Sequence, residues 1–144
     1  NYSFVNNSSL ENFDWKNNKY DQHNKITNYM SLEQNKLRSN IDSSLIKNIQ
    51  YNNNVNSENS YKFFEVSNVF GDKIEKVLTC VASGDRYAEG WSLKNRKFDK
   101  YDMTSVVEDI ARLFGLKKSE INYIIKDTIN DKMHFIVLTL SIDD

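Results

Sequence analysis

Few residues in this sequence are of types that do chemistry, and their spacing argues against catalysis. His23 stands in an Asn-rich stretch and His134 inside an apolar run. A lone histidine in a strand reads as a packing or surface residue rather than a general base. Cys80 is the single cysteine, so an internal disulfide and a Cys-x-x-Cys metal site are both excluded. Set mid-strand, its thiol behaves as a small inert hydrophobe and not as a nucleophile. The chain has four glycines, and Ser83-Gly84-Asp85-Arg86 does not match the phosphate-cradling GxxxxGK[ST] loop. The carboxylate pair Glu108-Asp109 falls near a helix start, where the helix dipole already accounts for it. The expectation is a binding module: no catalytic residue, no metal, no cofactor, not an enzyme.

The distinctive charged feature is Lys94-Asn95-Arg96-Lys97-Phe98-Asp99-Lys100. The chain as a whole is close to neutral, with 19 basic and 20 acidic residues. No global basic excess advertises nucleic acid, so any electrostatic function rests on local clustering. Arg86, Lys94, Arg96, Lys97 and Lys100 are the candidate partner-binding residues, a positive patch that would steer an acidic surface and weaken with salt. The plainer alternative is a solvated basic loop.

Positioning these residues requires a folded unit, and composition locates it in the second half. Residues 1–60 hold runs such as Asn6-Asn7, Asn17-Asn18 and Asn52-Asn53-Asn54. Such a stretch buries too little apolar surface to offset chain entropy. Residues 1–60 are therefore expected as a mostly disordered arm. One helix near 31–50 is expected within it, from Leu32, Leu37, Ile41, Leu45, Ile46 and Ile49. That helix would either pack on the following domain or dock on a partner. The chain does not begin with Met and is expected to be a piece of something longer. No apolar run reaches the roughly 18 residues of a membrane span.

Residues 61–144 are expected to form an α+β domain. Residues 61–66 read as a strand or lead-in, stopped near Gly71-Asp72. Residues 73–82 read as a strand, Ser83-Gly84-Asp85 as a turn, and residues 86–93 as the returning strand of a hairpin. A helix follows over 103–114, capped by Asp102 or Thr104 and ended by Gly115. Val106, Val107, Ile110, Leu113 and Phe114 form its apolar stripe, with Val107, Ile110 and Phe114 expected on the sheet. Residues 121–126 and 133–142 read as two more strands, joined by a turn at Asn130-Asp131. A hairpin followed by a helix crossing a mixed sheet is the ubiquitin-like β-grasp layout.

The run from Ser83 to Leu93 resembles the first hairpin of a doublecortin domain. Arg96-Lys97-Phe98 is similar to that family's basic segment. The stretch from Tyr101 through Val106-Val107-Glu108-Asp109-Ile110 to Leu113-Phe114-Gly115-Leu116 resembles its helix. Ser83 stands where the family has Asn, residues 117–132 are longer than its link, and the chain stops before its final strand. The resemblance implies a ubiquitin-like fold that binds microtubules, tubulin as the acidic partner, and a cytoplasmic, cytoskeletal location. It implies neither membrane nor nucleic-acid binding.

Two alternatives stay open. A roadblock- or profilin-like interaction scaffold would use a sheet edge or a helix. An RNA-binding module would need exposed aromatics beside the basic loop, with Phe63, Phe64, Tyr87, Trp91 and Tyr123 as candidates.

Overall fold

The computed structural model describes residues 4–5, 26–28, 35–55, 60–87, 95–130 and 133–142. Its elements are β1 (Phe4–Val5), β2 (Lys36–Leu37), α1 (Asp42–Val55), β3 (Ser60–Phe70), β4 (Ile74–Gly84), α2 (Lys100–Phe114), β5 (Tyr123–Asn130) and β6 (Met133–Ile142). β1 and β2 pair with each other. The other four strands form one sheet in the order β3-β4-β6-β5, every neighbour antiparallel. The expected α+β class holds. The mixed sheet on which the β-grasp reading rested is replaced by a wholly antiparallel one.

The sheet is covered on both faces because β6 is apolar in both directions. Successive strand residues point to opposite faces. Phe135 and Val137 face one way, where Ile41, Leu45, Ile46 and Ile49 of the α1 region meet them with Tyr61, Val77 and Val81. Ile136, Leu138 and Leu140 face the other way, under Phe98, Met103 and Val107. The helix anticipated near 31–50 is found only from Asp42 on, as α1, and packs on the sheet; Leu37 lies in β2, and residues 31–34 lie outside the described residues. Its apolar positions are core, so residues 41–49 belong to the same folded unit as the strands.

The hairpin lies one strand earlier than expected. Its turn is Gly71-Asp72-Lys73, where the Gly71 N–H donates to the Lys73 carbonyl at 3.1 Å. β3 and β4 pair without a break from Phe70↔Ile74 to Ser60↔Gly84. β4 then has β3 on one side and β6 on the other, which leaves no edge for a returning strand at 86–93. Gly84, at φ +85°, ends β4 in a conformation that costs glycine least. Asp85 bridges to Lys97, and the Arg86 N–H donates to the Arg96 carbonyl at 2.8 Å. Arg86 and Tyr87 form a bend, and residues 88–94 lie outside the described residues.

α2 starts earlier than the sequence suggested. Its N-cap is Asp99, whose Oδ1 accepts from the N–H of Tyr101 at 2.8 Å and of Asp102 at 3.1 Å. The Asp102 carboxylate accepts the Asp99 N–H in return, completing a capping box. Gly115 closes the helix at φ +68°. Met103, Val107 and Ala111 are buried and Ile110 packs partly. Phe114 shares their azimuth, yet it is 70% exposed at the helix end. The helical phase was right, but the cover gives out at the last turn.

Candidate functional site

α2 packs on β5 and β6, and among the described residues the β3 side of that face is left open. There a groove of about 400 Å³ runs between α2 and β3. Its floor is built by strand alternation: Lys62 and Phe64 of β3 lie beside Ala82 and Cys80 of β4. Met103, Ser105 and Val106 of α2 form one wall, and Arg86, Tyr87 and Phe98 close one end. Phe64 is 74% exposed although it sits on a strand, so its ring forms an open shelf. A solvated aromatic on a sheet has lost the transfer gain of burial, which marks a surface suited to a flat or apolar partner.

The electrostatics differ from a free positive patch. Arg86 forms an ion pair with Asp102. Arg96 reaches the two oxygens of the same carboxylate at 2.8 and 2.7 Å, and Asp99 at 3.2 Å. Lys97 Nζ meets Asp85 at 2.8 Å. Asp85, Asp99 and Asp102 thus answer Arg86, Arg96 and Lys97, and the charge cluster serves the N-terminal end of α2. Lys100 lies over the Tyr101 ring at 5.4 Å, and Lys94 lies outside the described residues. Lys62, which the charge count of the loop had overlooked, holds its ammonium 5.3 Å from the Phe98 ring centroid at the groove. Only the period-2 alternation of β3 could have put Lys62 and Phe64 together.

Of the RNA-reading aromatics, Phe64 and Tyr87 line this groove with their rings partly or largely in solvent. Phe63 packs toward the other face against the α1 core. Tyr123 packs under α2, and Trp91 lies outside the described residues. Cys80 sits on the groove floor, where burial pushes its thiol up to about 11. His134 is half exposed and its Nε2 meets Asp127; His23 lies outside the described residues. Among the described residues no group of three or more His, Cys, Asp or Glu could hold a metal ion. Among them, too, no helix is long and apolar enough to cross a membrane.

Comparison with known proteins sets the frame for this groove. The family model described as "Phenylalanyl tRNA synthetase beta chain CLM domain" matches residues 1–135. The phenylalanine–tRNA ligase beta subunit of Buchnera aphidicola subsp. Schizaphis graminum is 31% identical over 131 residues, covering 85% of this chain and 16% of that protein. The chain therefore spans about a sixth of the length of that relative. The family match takes in residues 83–116, the hairpin, basic segment and helix on which the doublecortin resemblance chiefly rested. It overturns that resemblance, and with it microtubule binding, tubulin as partner, a cytoskeletal place and the exclusion of nucleic acid. The fold gives the physical reason: β4 pairs with β3 and β6 on its two sides, and past Ser83-Gly84-Asp85 the described pairing is the short Asp85–Lys97 bridge rather than a strand returning along β4.

Proposed function

The chain belongs to the phenylalanyl-tRNA synthetase beta chain CLM domain family, and from that premise we propose that it is a binding module of a phenylalanine–tRNA ligase beta subunit. It offers the groove under α2 to tRNA and takes no chemical step itself. Its surroundings are the rest of the beta subunit and the other subunits of the ligase, in the cytoplasm. The carrying observation is Phe64, solvent-exposed on the groove floor beside Lys62 and Arg86. Unstacked bases lie on such aromatic shelves, and each base stacked contributes about 1–3 kcal/mol. The RNA-binding alternative weighed from the sequence is therefore the one kept, and the scaffold alternative is set aside.

Because most of the nearby cations are already paired, stacking leads the interaction and charge follows. Binding through this groove should weaken only gently with salt, with a slope of log K against log salt of about −1, as expected for one or two phosphates. In the assembled ligase, Phe64→Ala should raise the KM for tRNA by about tenfold, the loss of roughly 1.4 kcal/mol. The kcat and the KM for phenylalanine should stay put. An unchanged KM for tRNA rejects the groove as an RNA contact. Cys80→Ser and His134→Gln should leave kcat within about twofold, since neither loses the 10²–10⁴ of a general acid or base. A collapse of kcat in either would make this stretch catalytic.

A further inference from the structure

β3 is an outer strand of the sheet, and among the described residues its outer edge is only half covered. Near its end, the Phe70 N–H donates to the Arg38 carbonyl at 2.9 Å, and Arg38 Nε donates to the Asn68 carbonyl at 3.3 Å. In an antiparallel pair a residue's N–H and C=O point together, toward the partner strand or away from it, alternating along the chain. Asn68 and Phe70 fix that phase. The even-numbered residues of β3 face outward, so Lys62, Phe64 and Val66 direct three N–H and three C=O groups to the open edge. Among the described residues these groups have no hydrogen-bond partner. Beside them Phe64 and Val66 are apolar and exposed, at 74% and 49%, and Lys62 is exposed and charged.

A straight edge with exposed apolar side chains invites pairing, and natural sheets cover, charge or bend such edges. Here the Arg38 stretch covers one end, and among the described residues its bonds to the β3 backbone stop at residue 68. We infer that the edge at residues 62–66 is a docking strip for an extended segment of the beta polypeptide outside this chain, which adds as a fifth strand beside β3. The chain corresponds to 16% of its relative, so most of that polypeptide is available to fill the strip. Covalent linkage also gives such a segment a high effective concentration. Backbone pairing supplies the attachment, as in other cases of strand addition to a sheet edge. The inference rests on the reading of the chain as part of a beta subunit. It uses the backbone of residues 62–66, whereas the tRNA reading uses the Phe64 ring.

Amide hydrogen exchange on the full-length beta subunit, alone and assembled with its companion subunit, tests this. Phe63 and Glu65, which pair with β4, serve as protected internal references. If the strip is filled, the amides of Lys62, Phe64 and Val66 should exchange ~100-fold more slowly than open amides in the beta subunit alone. Alternation of slow odd and fast even amides in both samples overturns the inference. Protection that appears only with the companion subunit overturns the choice of occupant. As a second variant, Val66→Pro removes one outward N–H while leaving the β4 ladder intact, as proline allows at an edge. It should leave the circular dichroism of the subunit unchanged and release the Lys62 and Phe64 amides; continued protection of both again counts against the strip. Kinetics of Phe64→Ala judge the tRNA reading separately, so the two can fail independently.

Discussion

Arg96 holds Asp102 side-on, with Nη1 and Nη2 donating to the two carboxylate oxygens at 2.8 and 2.7 Å. The same carboxylate accepts the Asp99 N–H at 3.0 Å and pairs with Arg86. One nearly buried acid thus joins the strand exit, the basic loop and the first turn of α2. Charge-assisted bonds of this kind contribute roughly 1.5–3 kcal/mol when removed singly.

Asp102→Asn should therefore lower unfolding stability by about 2 kcal/mol, measured by urea denaturation. Lys100→Ala, at an exposed position with no carboxylate partner among the described residues, should change it by less than about 0.5 kcal/mol. Equal effects would mean that the loop is held by something other than Asp102.

The two helices should respond to truncation according to cover rather than residue type. Ile46 of α1 is fully buried between helix and sheet. Ile46→Ala should cost about 2–5 kcal/mol, a large share of a small domain's stability. Phe114→Ser, on the uncovered last turn of α2, should stay within about 0.5 kcal/mol. A silent Ile46→Ala would return α1 to the status of a loosely held arm.

Much of this fold was legible in local patterns. The apolar spacing of Ile41, Leu45, Ile46 and Ile49 announced a helix, and Gly115 announced where α2 stops. Residues 133–142 announced a strand. What the sequence did not reveal was which strand pairs with which, because pairing is a tertiary choice that each strand's own residues leave open. Ser83-Gly84-Asp85 has good turn chemistry, but β4 already had two neighbours, so the turn leads out of the sheet. The basic patch misled for a similar reason. Counting Arg86, Arg96 and Lys97 by proximity left out Asp85 and Asp102, which the Asp85–Lys97 bridge and the capping of α2 bring against them. Lys62 and Phe64 were passed over because a groove is made by two elements, and neither element shows it alone.

Arg38 offers a test of a buried charge. It is 1% exposed, its Nη1 sits 2.8 Å from Glu65 Oε1, and its Nη2 meets Ser67. Removing one member of a buried pair strands the other, at about 3–5 kcal/mol, whereas an apolar replacement of both is often close to neutral. Arg38→Met should destabilise strongly by chemical denaturation, and adding Glu65→Leu should recover most of the loss. If the double variant is as weak as the single one, the arginine matters through its bonds to Asn68 and Ser67 rather than through charge.

Cys80 supplies the prediction in pH. Burial raises its thiol from 9.0 to about 11. The folded chain therefore keeps the proton across that interval, while the unfolded chain gives it up from about pH 9. Deprotonation then favours the unfolded state, so this group's effect is absent below about pH 9. It lowers stability as pH rises toward 11 and levels off beyond that. Lysines and tyrosines titrate in the same range, so the comparison needs a Cys80→Ala reference. Between about pH 8 and about pH 10.5, the urea midpoint of the parent should fall further than that of the variant. At neutral pH the native thiol should resist alkylation and react only when the chain is unfolded, because the thiolate is the reactive form. Parallel midpoints together with rapid native alkylation would show that the groove floor is wet and the thiol unperturbed.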